Sequence, residues 1–156
     1  MYELVVQSPA GPLTLTATEL AITGLHFGEL GSGGGSSPLL EQAAAQLEEY
    51  FAGSRRTFDL PLAPAGTPFQ RRVWDALREI PYGKTVCYRD IAARVGCPKG
   101  FRAVGLANNR NPISIFIPCH RVVGADGSLT GYGGGLSVKK MLLELEARES
   151  QSAEIC

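Results

Sequence analysis

The chain has little with which to hold a metal or staple itself together. Its 156 residues include two histidines, His26 and His120, and four cysteines, Cys87, Cys97, Cys119 and Cys156. No two cysteines form a C-x-x-C pair, which argues against a zinc ribbon or a thioredoxin-type redox site. With only His26 and His120 available, a Cys/His metal site is poorly supplied, and no metal and no cofactor are expected. Free thiols in a reducing compartment are the better reading. Long apolar runs are missing too. None approaches the roughly 20 residues that span a bilayer, and Met1-Tyr2-Glu3-Leu4 lacks the basic start and apolar stretch of a signal peptide. The expected setting is cytoplasmic, with no membrane partner. Net charge is also absent, with 15 basic and 15 acidic side chains.

What charge there is lies unevenly. Residues 1–66 carry two basic and seven acidic side chains, and residues 67–156 carry thirteen and eight, so a balance of −5 meets one of +5. Within 67–121, ten basic residues stand against three acidic ones, Asp75, Glu79 and Asp90. A basic half on a neutral chain fits a polyanion-binding face, and it fits a solvated surface equally well. With 44% hydrophobic residues, the chain can bury a core, as one domain or as two small lobes.

The patterning predicts an α/β (α+β) chain. Residues 1–64 read as a small antiparallel sheet with a helix. Tyr2–Val6, the alternation of Leu13, Leu15 and Ala17 with threonines, and Ala21–Phe27 are the expected strands, with a turn at residues 8–12. Gly31–Ser37 reads as a flexible loop of natural or engineered origin. Ser37-Pro38 starts a helix with Leu40, Ala44, Leu47 and Phe51 on one face. Phe58, Leu60 and Leu62 alternate as a further short strand, and a linker follows. Residues 67–148 read as a second, mostly helical lobe. Thr67-Pro68-Phe69-Gln70 is a capping box ahead of a stripe of Phe69, Val73, Leu77 and Ile80, with Trp74 beside it. Tyr88, Ile91, Ala92 and Val95 mark another helix. Residues 101–108 form a third, which Asn111-Pro112 should end. Two helices across a tight Gly/Pro turn fit a helix-turn-helix, and also an ordinary helical hairpin. Gly100, Ala103 and Ala107 are spaced as one small-residue face, with Arg102 next to it. Asp126-Gly127 signals a hairpin within Val122–Tyr132. Ser137 caps a last helix with Val138, Met141, Leu142 and Leu145 inward, and residues 149–156 are expected as a flexible tail.

The chemistry gathers at Ile115-Phe116-Ile117-Pro118-Cys119-His120-Arg121-Val122-Val123. An apolar run that reads as a buried strand ends at a proline, and a thiol, an imidazole and a guanidinium follow. A thiol attacks as the thiolate, so it needs a proton acceptor and positive surroundings. His120 and Arg121 are nearest in sequence. Neighbours on a strand point to opposite faces, so a water would have to carry the proton. Glu146, on the last helix, is the candidate to orient the imidazole. A bare Cys-His pair fits an inert core cysteine as well.

Pro118-Cys119-His120-Arg121-Val122-Val123-Gly124 resembles the active-site signature of the O6-alkylguanine-DNA alkyltransferases. Pro81-Tyr82-Gly83-Lys84-Thr85 followed by Tyr88, Arg102-Ala103-Val104-Gly105 with Ala107-Asn108, Asn111-Pro112, and Tyr132-Gly133-Gly134-Gly135-Leu136 resemble that family in order and spacing. The resemblance covers about residues 67–146. It implies a winged helix-turn-helix-like lobe that carries the active-site cysteine, and direct reversal of DNA damage in a single turnover. Cys119 would take the alkyl group from O6-alkylguanine, and from O4-alkylthymine. His120 would remove its proton through a water, and Glu146 would orient His120. Tyr88 would donate a proton to guanine N3, Asn111 would serve as a hinge, and Arg102 would fill the stack. Ala103, Gly105, Ala107, Arg89, Gln70, Cys97 and Ala125 would join Tyr88 and Arg102 at the DNA, and Pro112, Val122, Tyr132 and Gly133 would line the base pocket. The partner would be double-stranded DNA, met in the minor groove without sequence preference by a monomer, with cooperation along DNA left open. The site expected is a sulfur anion held ready in a pocket that only an extruded base can enter.

Two other readings compete. The basic segment alone would suit a non-catalytic helix-turn-helix damage sensor or regulator. A Cys-His hydrolase would need an oxyanion hole, which Gly133–Gly135 could supply.

Overall fold

The computed structural model describes residues 1–31 and 34–155, with side chains as far as Ser150. Ser32 and Gly33 of the expected glycine-serine loop, and Cys156, lie outside the described residues. The chain divides into two compact units, residues 1–65 and 66–156. No described helix is long and apolar enough to cross a membrane.

The first unit is a three-stranded antiparallel sheet in the order β1 (Tyr2–Val6), β2 (Leu13–Ala17), β3 (Ile22–Phe27), with helix α1 (Pro38–Phe51) packed on β1 and β2. Leu13, Leu15 and Ala17 are fully buried, as their alternation predicts, but so is Thr14 between them. The chain after β3 folds over that side: the Thr14 hydroxyl donates to Gly28 O at 2.6 Å and accepts from Leu30 N at 3.2 Å. A buried hydroxyl with both capacities used carries no desolvation penalty. Ser37 caps α1 as expected, accepting from Leu40 N. The buried face differs from the expected one. It runs through Leu40, Ala43, Gln46, Leu47 and Tyr50, while Ala44 and Phe51 sit at its margin. Gln46 belongs inside because its amide is matched at both ends by the Asp59 backbone. The strand expected over Phe58–Leu62 reduces to one bridge, in which Ile22 pairs with Leu62.

The second unit opens with α2 (Pro68–Arg78), whose capping box between Thr67 and Gln70 is complete. Trp74 lies at the centre of its buried face, with Val73, Ala76 and Leu77. Its indole N–H donates to Ala107 O at 2.9 Å. The short strand β4 (Val86–Cys87) leads into α3 (Tyr88–Arg94), and α4 (Phe101–Asn109) follows across the turn. Both α2 and α3 pack against α4. The expected hairpin is absent. β5 (Val122–Val123) pairs in parallel with β4, and Asp126-Gly127 instead closes a tight turn in which Gly124 N donates to Ser128 O at 2.8 Å. Helix α5 spans Leu136–Ile155, past the point where a flexible tail was expected. Ser137 lies inside its first turn, because Lys139 N already donates to Gly135 O, and Gly135 supplies the positive φ of 93° there. Leu142 and Leu145 are buried, whereas Val138 and Met141 are half-buried.

Candidate active site

The apolar run Ile115-Phe116-Ile117 reads as a buried strand, but residues 113–119 fold as successive tight turns. Ile117 N donates to Ile113 O, Phe116 N to Ser114 O, and Cys119 N to Ile117 O. Ile115 takes a φ of 72°, a left-handed backbone that costs a β-branched residue on the order of 1–3 kcal/mol and persists only where the surroundings impose it. Asn111 imposes much of it. Its amide donates to Ile117 O at 2.9 Å, and its carbonyl oxygen accepts from Ile113 N at 3.0 Å. Ile113, Ile115 and Ile117 are all essentially buried, and their burial offsets the strain.

Cys119–Arg121 forms a single 3₁₀ turn rather than the strand end expected. The three side chains therefore fan apart. Cys119 is 3% exposed and His120 is fully buried. His120 Nε2 lies 2.6 Å from Glu146 Oε2. Arg121 turns away from the thiol: its Nε donates to Glu146 Oε1 at 2.8 Å, Nη2 to Oε2 at 3.1 Å, and Nη1 to Ile80 O at 2.7 Å. Gly83 N adds a donor to Glu146 Oε1 at 3.2 Å. A side chain at Gly83 would collide with Ser150 on α5, and its φ is +78°, so the close approach requires glycine.

These contacts fix the protonation states. Burial pushes the Glu146 carboxyl up, but the hydrogen bonds of His120 and Arg121 and the positive charge there, which His120 shares once it is protonated at low pH, outweigh it and hold it down at about 2. Glu146 is therefore an anion and accepts the His120 Nε2 proton. Burial lowers the His120 pKa despite Glu146, so the ring is neutral. Its Nδ1 is the acceptor, buried and with no hydrogen-bond partner among the described residues. At Cys119, burial pushes the thiol up, opposed by Asn111, the Lys139 charge and Ser114. The resting group is a thiol and not the sulfur anion expected, because desolvation penalises the charged form more than its neighbours favour it.

The cation near the sulfur is Lys139, which sequence reasoning missed, and not Arg121. Lys139 is fully buried, with Nζ donating to Val122 O at 2.6 Å and Thr130 O at 3.0 Å. Burial lowers its pKa, and the Cys119 charge raises it. Its place in the first turn of an amphipathic helix gave no sign of burial. Ser114 and Asn108 were missed as well; Asn108 reaches Cys119 O at 3.4 Å.

The remaining expected residues divide. Tyr88 is half-buried, and its hydroxyl is hydrogen bonded to the Thr130 hydroxyl. Tyr132 is half-buried beside His120, with ring centroids 6.5 Å apart. Burial, and then the Cys119 charge, raise its pKa well above the ordinary value. Pro112 is half-buried, Gly133 is exposed and Val122 is fully enclosed in β5. Arg102, Ala103, Arg89 and Ala125 are exposed. Gly105 is half-buried against the Tyr88 ring, and Cys97 is half-buried in the turn before α4. The Gln70 carbonyl oxygen is taken by Thr67 N in the capping box. Ala107 does not share the exposed face of Ala103: it is 3% exposed and turns inward, where Trp74 holds its carbonyl.

A buried cysteine next to a His-Glu pair, in a unit with two helices joined by a tight turn, is an arrangement suited to nucleophilic-cysteine chemistry. Sequence models of the two domains of 6-O-methylguanine DNA methyltransferase match the chain, the ribonuclease-like domain over residues 1–64 and the DNA-binding domain over residues 68–148. The methylated-DNA–protein-cysteine methyltransferase of Methanosarcina barkeri is 51% identical over 154 residues, covering 94% of this chain and 97% of its own. The constitutive enzyme of that name from Bacillus subtilis is 46% identical over 156 residues, covering 93% and 94%. A crystal structure of Mycobacterium tuberculosis OGT in complex with DNA is similar with a TM-score of 0.89 and 47% identity, covering 96% of this chain and 94% of that one. The chain belongs to the 6-O-methylguanine DNA methyltransferase family.

Proposed function

We propose that this chain is a DNA-repair alkyltransferase that moves the alkyl group of O6-alkylguanine, and of O4-alkylthymine, from DNA onto Cys119. The observation that carries the reading is the buried thiol of Cys119, followed in the chain by a buried imidazole whose Nε2 is held by Glu146 and whose Nδ1 has no hydrogen-bond partner among the described residues. In the transfer, the thiol proton passes through a water to His120 Nδ1. Sulfur attacks the alkyl carbon, the carbon–oxygen bond breaks, and its electron pair remains on the base, which takes a proton at N3 from Tyr88. Lys139, Asn111 and Ser114 favour the developing thiolate, which burial alone would oppose. Glu146 stabilises the imidazolium that forms, as the carboxylate of a catalytic triad does. The thioether does not turn over, so each molecule acts once.

A base inside a duplex cannot meet this sulfur, so the lesion must be flipped out, at a cost of a few kcal/mol. Exposed Arg102, at the start of α4, is suited to fill the gap in the stack, and Ala103 next to it leaves room for close approach in the minor groove. The basic balance of residues 67–121 supplies phosphate affinity without sequence preference. Asn111, which braces the turns ahead of Cys119, is the hinge between the reading helix and the nucleophile. Pro112, Val122, Tyr132 and Gly133 form the base pocket. Incubation with duplex DNA carrying labelled O6-methylguanine should place label on Cys119, at no more than one equivalent, and none on Cys119→Ala. Label elsewhere, or repeated turnover, would refute the reading.

A further inference from the structure

Thr130 is held from two sides. Its hydroxyl is hydrogen bonded to the hydroxyl of Tyr88, on a different element and 42 positions away in sequence. Its carbonyl accepts from Lys139 Nζ, which also holds Val122 O in β5. With the carbonyl and the hydroxyl oxygen both engaged, what is left to decide is which hydroxyl of the pair donates. A hydroxyl can donate or accept, and so can a phenol, so the pair has two arrangements. If the phenol donates to Thr130, its proton is tied up by the protein. If Thr130 donates to the phenol oxygen, the phenol proton is left for the base. Only the second arrangement allows proton transfer to guanine N3.

We propose that Thr130 is a positioning residue for the alkyl transfer: its hydroxyl donates to the Tyr88 oxygen, aims the phenol proton at the extruded base, and stabilises the phenolate left behind. The inference rests on the reading of Tyr88 as the donor to N3. The proton moves from the phenol to N3, the electron pair stays on Tyr88 Oη, and solvent restores the proton once the base has left. Hydrogen bonds to charged groups are stronger than those between neutral ones, so Thr130 favours the transferred state over the resting one, as a catalytic effect requires.

The test is a double-mutant cycle read by single-turnover transfer from duplex DNA carrying O6-methylguanine. Thr130→Val keeps the β-branched shape and the carbonyl that Lys139 needs, and removes only the hydroxyl. It should slow transfer about tenfold at saturating protein, the scale of one charge-assisted hydrogen bond, with affinity for the DNA unchanged. Thr130→Ser should restore the rate to within about twofold. In a Tyr88→Phe background, Thr130→Val should cost nothing further, because the oxygen it serves is gone. If Thr130→Val does not fold, Thr130→Ala enters the same cycle. A slow Tyr88→Phe beside an unchanged Thr130→Val, or two penalties that add, would overturn this inference alone. A Tyr88→Phe protein that transfers at the wild-type rate would overturn the role of Tyr88 and this inference together.

Discussion

The two units solve the problem of buried polar groups in opposite ways. In the first, the backbone answers itself through the β1–β2–β3 ladder, and the interior is filled by Leu13, Leu15, Ile22, Leu25 and Leu40. In the second, the decisive stretch from Asn111 to Thr130 has almost no ladder. Its carbonyls are claimed by side chains instead: Ile117 O by Asn111, Cys119 O by Asn108, and Val122 O and Thr130 O by Lys139. A regular ladder yields stability and spends most of its backbone acceptors on backbone donors. Irregular turns leave acceptors, and these hold Lys139 and Asn111 in place near one sulfur. Buried charge then becomes possible close to the reacting group.

The largest expected break in this contrast is Glu146→Gln. It leaves Arg121 buried beside a neutral amide and removes the partner that fixes the His120 tautomer. Transfer should fall by at least about a hundredfold, and stability by roughly 3–5 kcal/mol, read by single-turnover assay and denaturant melt. The same variant carries a pH signature. The folded pKa of Glu146 lies below its ordinary 4.5, at about 2. Its contribution is therefore complete above pH 4.5 and is lost as pH falls toward 2. The wild type should lose stability in that window, and the variant should show a flatter profile. Leu15→Ala in the first unit should remove about 2–5 kcal/mol by opening a cavity, while protein that remains folded transfers at the wild-type rate. A matching loss of transfer in folded Leu15→Ala would erase the division of labour between the units. The smallest effect is expected from Arg102→Ala, about a tenfold slowing on duplex DNA with little change toward the free base O6-benzylguanine. Equal slowing on both would remove Arg102 from the stack.

Where hydrophobic period and cap chemistry act locally, the sequence was a good guide. β1, β2, β3, α1 and α2 stand where alternation, Ser37-Pro38 and the Thr67–Gln70 box put them. The pairing of His120 with Glu146 on the last helix was expected from the resemblance, and the two side chains meet at 2.6 Å. What was not legible depended on partners distant in sequence. Ile113–Ile117 has strand propensity, but Asn111 captures its backbone, and no window of propensity contains that competition. Thr14 is hidden by a loop that begins fourteen residues later. Lys139 looked like a solvated helix residue because its two acceptors come from β5 and from the loop before α5. Arg121 was assigned to the thiol through adjacency, and a 3₁₀ turn sent it to Glu146 instead.

Trp74 is the chain's single tryptophan, and its indole bridges α2 to the carbonyl of Ala107 on α4. Intrinsic emission therefore comes from the seam beneath the helix that carries Arg102, without a competing fluorophore of its kind. A red shift on adding damaged duplex would report that seam loosening as α4 engages, with no label attached and no residue replaced.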